Sequence, residues 1–229
     1  MLTEGFEVIY EDNHLIAVNK EAGILVQGDK SGDKPLVELV REYLKKKYNK
    51  QGNVFCGVIH RIDRPVSGVV VLAKTSKGLE RMNKVFHDRK IIKTYWALVK
   101  YRPPVEEGKL ENWLLKDTEK NRTKAFNKQK KGALFAELNY WLLGKVNKYF
   151  IMKVQPLTGR PHQIRVQLAK IGCPILSDLK YGYHEKLKGE GIYLHAKEIT
   201  FKHPIKQTPV RITARPPENL IWNDFKHFG

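Results

Sequence analysis

Leu134-Phe135-Ala136-Glu137-Leu138-Asn139-Tyr140-Trp141-Leu142 decides the fold class. Leu134, Ala136, Leu138, Tyr140 and Leu142 recur at every second position, the side-chain period of a strand and not of a helix. Tyr149–Gln155 is a second β-rich run, and the turn-prone Gly144–Asn147 between them predicts an antiparallel hairpin. Upstream, Glu7–Glu11 and Leu15–Asn19 flank the turn signal Asp12-Asn13. Val54–Ile59, Val69–Ala73 and Thr94–Lys100 are further strand signals, and Ile192–Phe201 and Val210–Thr213 follow downstream.

Three stretches carry helical spacing instead. Pro35–Tyr48 has Leu36, Leu39, Val40, Tyr43 and Leu44 on one face, with Pro35 suited to the first turn. Its last turn holds Lys45, Lys46 and Lys47, which complement the helix dipole. Ser76 is the expected cap of a helix running to Arg89, with Leu79, Met82, Val85 and Phe86 along one side. Gln163–Ile171 is a short helix with Ile164, Leu168 and Ile171 inward and Gly172 as its stop. Strands outnumber helices, and hairpins outnumber strand–helix–strand units. The expected fold is therefore α+β, a mainly antiparallel mixed central sheet flanked by helices and loops. No repeat or low-complexity linker interrupts the chain, so residues 1–229 are expected to form one domain.

The chain has 229 residues, 41% of them hydrophobic, enough for a sizeable core. Forty-two Lys and Arg against 24 Asp and Glu give a formal net charge of +18, which favours a polyanionic partner, nucleic acid before membrane. Lys116–Gly132 is the most basic stretch and is expected to be a mobile hairpin or loop. Arg122, Lys124, Lys128, Lys130 and Lys131, with Phe126 interleaved, are its candidate contacts to a polyanion.

The N-terminus MLTEGFEVIYED is acidic and lacks a long apolar core, and no run nears the ~18 apolar residues of a membrane span. A cytoplasmic protein without membrane association is expected. Cys56 and Cys173 form no CxxC pair and are expected to be reduced; His60, His162, His195 and His203 lack metal-ligand spacing. No metal and no cofactor are expected, and monomer is the default state. Gly68-Val69-Val70-Val71-Leu72-Ala73-Lys74-Thr75 approximates a phosphate loop, but Ala73 stands at the second glycine and the interior is apolar. A loop that turns its amides onto phosphates needs the opposite.

The chemistry concentrates in His60-Arg61-Ile62-Asp63-Arg64-Pro65-Val66-Ser67-Gly68. One carboxylate, Asp63, lies among cations, and Ser67-Gly68 permits a tight turn that fixes its geometry. A surface ion pair is the plain alternative. A second basic cluster, Gly159-Arg160-Pro161-His162-Gln163-Ile164-Arg165, places Arg165 on the short helix, offset from its apolar stripe. Together they suggest an ionised carboxylate acting on a polyanion, as a nucleophile or base.

These residues match a known pattern. The chain resembles the RluA-type RNA pseudouridine synthases in HRIDRPVSGVVVLAKT (60–75), KTYWALV (93–99), GRPHQIRVQLAKIGCPILSDLKYG (159–182) and IYLHAKEITFKHP (192–204), with VNKEAGILVQ (18–27) upstream, all in order. The resemblance implies a stand-alone catalytic domain of that fold, without an N-terminal S4 domain, acting on structured rRNA or tRNA. It implies that Asp63 is the catalytic carboxylate, that Tyr95 lies against the target uracil and that Arg165 pairs with Asp63. Arg61 would fill the stack after the base flips out. His60, Arg160, His162 and Gln163 would contact substrate, and Leu194 or Ile192 would give an apolar floor. The chain departs from the pattern at Glu21, where proline is usual, and at Val66, often threonine. It departs again at Gln167, commonly histidine, and at Ser177, commonly glycine; these departures bear on RNA preference more than on activity. The competing readings are a non-catalytic RNA-binding or ribosome-associated protein and, weaker, a phosphate-loop NTPase.

Overall fold

A computed structural model describes residues 2–189 and 191–228. In chain order the elements are β1 (Leu2–Thr3), β2 (Phe6–Glu11), β3 (Leu15–Lys20), α1 (Leu36–Lys47), β4 (Gly57–Val58), β5 (Ser67–Ala73), α2 (Ser76–His87) and β6 (Ile91–Val99). There follow β7 (Glu107–Asp117), β8 (Arg122–Phe126), β9 (Leu134–Val146), β10 (Tyr149–Pro156), α3 (Gln163–Lys170), β11 (Leu194–Lys202), β12 (Pro209–Thr213) and α4 (Leu220–Asp224). The class is α+β with mainly antiparallel pairing, as the alternating runs require. The chain divides into two compact units, residues 1–92 with 196–216 and residues 93–195 with 217–229.

In the first unit the strand order is β1-β2-β3-β5-β11, with β4 beside β5 and β12 beside β11. β3 and β5 pair antiparallel from Leu15 opposite Ala73 to Lys20 opposite Gly68. All seven residues of β5 are buried, which explains its unbroken apolar run and removes the phosphate-loop reading, since this backbone lies in a strand ladder. Leu15, Ala17, Val69, Val71 and Ala73 pack with Met82 of α2 and with Ile199, Phe201 and Ile212 of β11 and β12. Gly68 has φ +114, and a Cβ there would stand 2.3 Å from the Ala196 carbonyl oxygen, so only glycine fits. Three expectations move. The cap of α2 is Thr75, whose Oγ1 accepts Gly78 N–H at 3.0 Å, and Ser76 is the first helical residue. Pro35 precedes α1 as its cap residue. Of Val54–Ile59 only Gly57–Val58 is strand.

In the second unit the order is β6-β10-β9-β7-β8. β9 and β10 form the expected hairpin, but β9 runs on to Val146 and the turn is tighter, at Asn147 (φ +54) and Lys148. β7 was hidden in the sequence by its charges: Glu107, Lys109 and Glu111 occupy the positions that a half-buried strand gives to solvent. β8 lies inside Lys116–Gly132, so this basic stretch is a β-hairpin on β7, not a loop. Leu114, Ala136, Val166 and Tyr181 make a small core under it. α3 is buried from Gln163 through Leu168, polar positions included.

Both cysteines are buried, and burial pushes the Cys56 thiol up to about 12 and that of Cys173 to about 11. Among the described residues no helix is long and apolar enough to cross a membrane.

Candidate active site

Asp63 follows β4 on a turn closed by Val66 N–H donating to the Asp63 carbonyl at 3.0 Å. Ile62 and Val66 are buried to either side, while Asp63 itself is half-buried and Arg61 is exposed. The turn is anchored from the Lys20–Leu25 segment. Gly23 N–H donates to Arg64 O at 2.9 Å, and Arg64 Nε returns a bond to Gly23 O at 2.8 Å. Arg64 Nη1 also pairs with Asp33 at 2.7 Å.

Lys20, fully buried at the end of β3, is the centre of this anchor. Its Nζ donates to Glu21 O (2.7 Å), Ile24 O (2.8 Å) and Arg64 O (3.3 Å). Burial pushes the ammonium down to about 7, and the Asp63 charge works against that shift. A cation held by three carbonyls beside Asp63 thus fixes the backbone that carries the carboxylate. His60 belongs to the same scaffold: its Nε2 accepts Val71 N–H at 3.0 Å, and its ring stacks on Phe86 at 5.0 Å.

In the second unit Arg165 lies on the expected short helix. It is buried on α3 and forked onto Asp178, Nε to Oδ2 at 2.7 Å and Nη2 to Oδ1 at 2.8 Å, with Asp178 only 1% exposed. The Tyr181 ring lies under its guanidinium, 5.0 Å to the centroid, and under that of Arg122 at 5.7 Å. The Tyr181 hydroxyl accepts Thr123 N–H of β8 at 2.8 Å and is hydrogen-bonded to Nδ1 of His162 at 2.7 Å. Gln163 spends its whole amide inside the protein. Its Oε1 accepts from Thr158 Oγ1 and Arg160 N, and its Nε2 donates to Glu137 O. Gln163 therefore organises the Thr158–His162 loop, which positions Arg160, whose Nε donates to Phe135 O at 3.0 Å.

Tyr95 is half-buried on β6 opposite Val154 of β10. Leu194 opens β11 and is buried, as is Ile192. Two of the departures lie inside the protein. Gln167 is fully buried and donates to Asn112 Oδ1 at 3.0 Å. Ser177 is buried in the left-handed region at φ +65, where glycine is the easier residue.

Sequence reading passed over Lys20, Asp178 and Tyr181. Each stood inside a quoted block, but nothing in its local sequence marks the contacts it makes. Among the described residues no three His, Cys, Asp or Glu side chains gather to hold a metal ion. His203, one of the histidines in question, is a buried clamp: Nδ1 accepts the Lys206 amide at 2.9 Å, and Nε2 faces Asp12 at 2.8 Å.

The family described as RNA pseudouridylate synthase matches residues 14–170, a span that holds Asp63, Tyr95 and Arg165. The chain belongs to the RNA pseudouridylate synthase family. It is an isomerase converting uridine in RNA to pseudouridine. A tRNA pseudouridine synthase C of Vibrio cholerae is 34% identical over 94% of this chain and 92% of its own length. A ribosomal large subunit pseudouridine synthase C of Rickettsia prowazekii is 32% identical over 92% of this chain and 68% of its own. Among solved structures, human RNA pseudouridylate synthase domain containing 4 superposes with a TM-score of 0.78 at 20% identity, covering 96% of this chain and 92% of that one. That likeness establishes a pseudouridine synthase fold.

Proposed function

We propose that this pseudouridine synthase isomerises specific uridines in structured rRNA or tRNA, with Asp63 as its essential carboxylate and without metal or nucleotide. The N1–C1′ bond breaks, the uracil turns, and a C5–C1′ bond forms. The C5 proton is lost, N1 gains one, and no oxidation or hydrolysis occurs. Attack on the sugar, attack on the base and removal of a sugar proton all call for a carboxylate held beside the ribose.

The observation that carries the reading is the anchored Asp63 turn. Its backbone is pinned by Lys20 and Gly23, while the carboxylate side chain remains half-exposed. Preorganised geometry of this kind is what a catalytic group requires. Reaching a stacked uridine means extruding it, at roughly a few kcal/mol. Exposed Arg61 is assigned to the gap, where a guanidinium plane stacks on bases. Tyr95 offers a flat face to the detached uracil. The names of the relatives above support tRNA and large-subunit rRNA as the substrates to test first.

The test is release of tritium from C5-labelled uridine in tRNA and large-subunit rRNA transcripts without added nucleotide or metal. Wild type is expected to release it, and Asp63→Asn to bind the same RNA without release. Pseudouridine formation by a folded Asp63→Asn protein would overturn the assignment.

A further inference from the structure

Lys93 opens the second unit on β6, two residues before Tyr95, and side chains two apart on a strand leave the same face. Both are half-buried there. The amine of Lys93 reaches Gly159, an exposed residue, and a Cβ built on Gly159 would stand 3.9 Å from Nζ. Among the described residues the side chain of Lys93 has no hydrogen-bond or ion-pair partner, and burial alone holds its ammonium below the ordinary lysine range.

Other withdrawn or bridging lysines among the described residues have partners. Lys20 has three carbonyls, Lys74 has Glu11 and the Asp12 carbonyl, and Lys109 has Glu111 and Glu137. A cation drawn from water without a partner is costly, and proteins retain one where a ligand supplies the counter-charge. The surroundings favour an anion. Gly159 leads into Arg160, and the glycine leaves open space over the amine where a side chain would cover it. In a chain of net charge +18 acting on RNA, the abundant anion is the backbone phosphate.

We propose that Lys93 binds a backbone phosphate of the substrate RNA, on the same face of β6 as Tyr95, with Gly159 leaving the approach open. The proposal rests on the pseudouridine synthase reading of this site and deepens it. The phosphate contact holds the nucleotide chain beside the tyrosine that faces the base. Lys93 is a substrate-binding and positioning residue and takes no part in bond making.

Binding of the same tRNA and large-subunit rRNA transcripts is measured across a salt series for wild type, Lys93→Met and Lys93→Arg. Met keeps the stem and removes the charge; Arg keeps the charge. Losing one phosphate contact lowers the slope of log affinity against log salt by about 0.7–0.9. That drop is expected for Met and not for Arg, with KM raised and kcat nearly kept. A second arm needs no protein variant: single phosphates of the RNA are replaced by neutral methylphosphonates. One position is expected to weaken binding to wild type and to leave Lys93→Met unaffected. An unchanged slope in Lys93→Met, or a Met variant sensitive to every position that wild type senses, overturns the proposal and points to a neutral contact such as a uracil carbonyl. Because binding is read separately from tritium release, loss of the slope effect with release intact sinks Lys93 alone. Absent release by wild type with the slope effect present sinks the proposed function on these RNAs alone.

Discussion

The hydroxyl oxygen of Tyr181 accepts the backbone N–H of Thr123 at 2.8 Å, and this bond ties the edge strand β8 to the segment that carries Asp178. Tyr181 is 6% exposed, so the amide it caps has no water to turn to. Tyr181→Phe keeps the ring under Arg165 and deletes the acceptor. An unsatisfied buried donor costs about 1–3 kcal/mol. For a chain of this size that corresponds to a Tm lower by roughly 2–12 °C. Hydrogen exchange of the Thr123 amide is expected to speed up with it; an amide that stays equally protected would contradict the bond's importance.

Asp178→Asn breaks a buried ion pair from one side. It leaves Arg165 with a neutral partner where it had a bidentate carboxylate, and changes of this kind cost about 3–5 kcal/mol. The expected outcome is a lower urea midpoint together with a fall in turnover, because the fork sets the orientation of Arg165. A variant with normal stability and normal turnover would show that the fork matters for neither.

Lys20 gives the chain a pH signature. Its folded value lies near 7, and its ordinary value is 10.5. Below pH 7 both folded and unfolded chains carry the charge, so the full cost of burying it is present. Between pH 7 and 10.5 only the unfolded chain binds the proton, and stability contributed by this residue rises with pH. The slope is at most about 1.4 kcal/mol per pH unit. Lys20→Met lacks the rise. Urea unfolding of both proteins at pH 7, 8, 9 and 10 is expected to give a difference that grows with pH in favour of wild type; parallel curves would count against a buried titrating Lys20.

The basic hairpin is expected to supply several phosphate contacts. Arg122, Lys124, Lys128, Lys130 and Lys131 are all exposed, and Thr123 and Phe126 alternate with them along or just beyond β8. Replacing Lys124, Lys128 and Lys131 by Gln is expected to reduce the salt slope of RNA binding by up to about 0.9 per lost contact. A slope equal to that of wild type would remove the hairpin from the RNA interface.

Much of this architecture was legible because period-two patterning and burial coincide. Ala136, Leu138 and Tyr140 are inside, as their alternation requires. The pattern weakens at strand ends, and Leu134, which continues the alternation, is 53% exposed. β7 was missed because its charged positions mask the alternation. The extent of Val54–Ile59 was overread because a buried apolar run need not pair as a strand. Of the site, Asp63 stood out by its contrast with neighbouring cations. Arg165 was found, but its partner Asp178 was not: the pair is 13 residues apart, and nothing local in either segment signals that a fork joins them. Lys20 was invisible for a related reason, since its three partners are backbone carbonyls, which every residue possesses.

β8 also ends its sheet, and a terminal strand is a template on which another chain can build. One of its outward amides is already occupied by Tyr181, and Arg122 and Lys124 stand along the rest. Charge on such a strand repels its own copies. The cations expected to contact RNA are the same ones that oppose edge-to-edge stacking of free protein, so solubility and substrate affinity are expected to draw on one set of side chains. Bound polyanion is expected to neutralise them. Lysine-stripped versions of the hairpin would leave the edge bare, and these will tend to self-associate as their grip on RNA weakens.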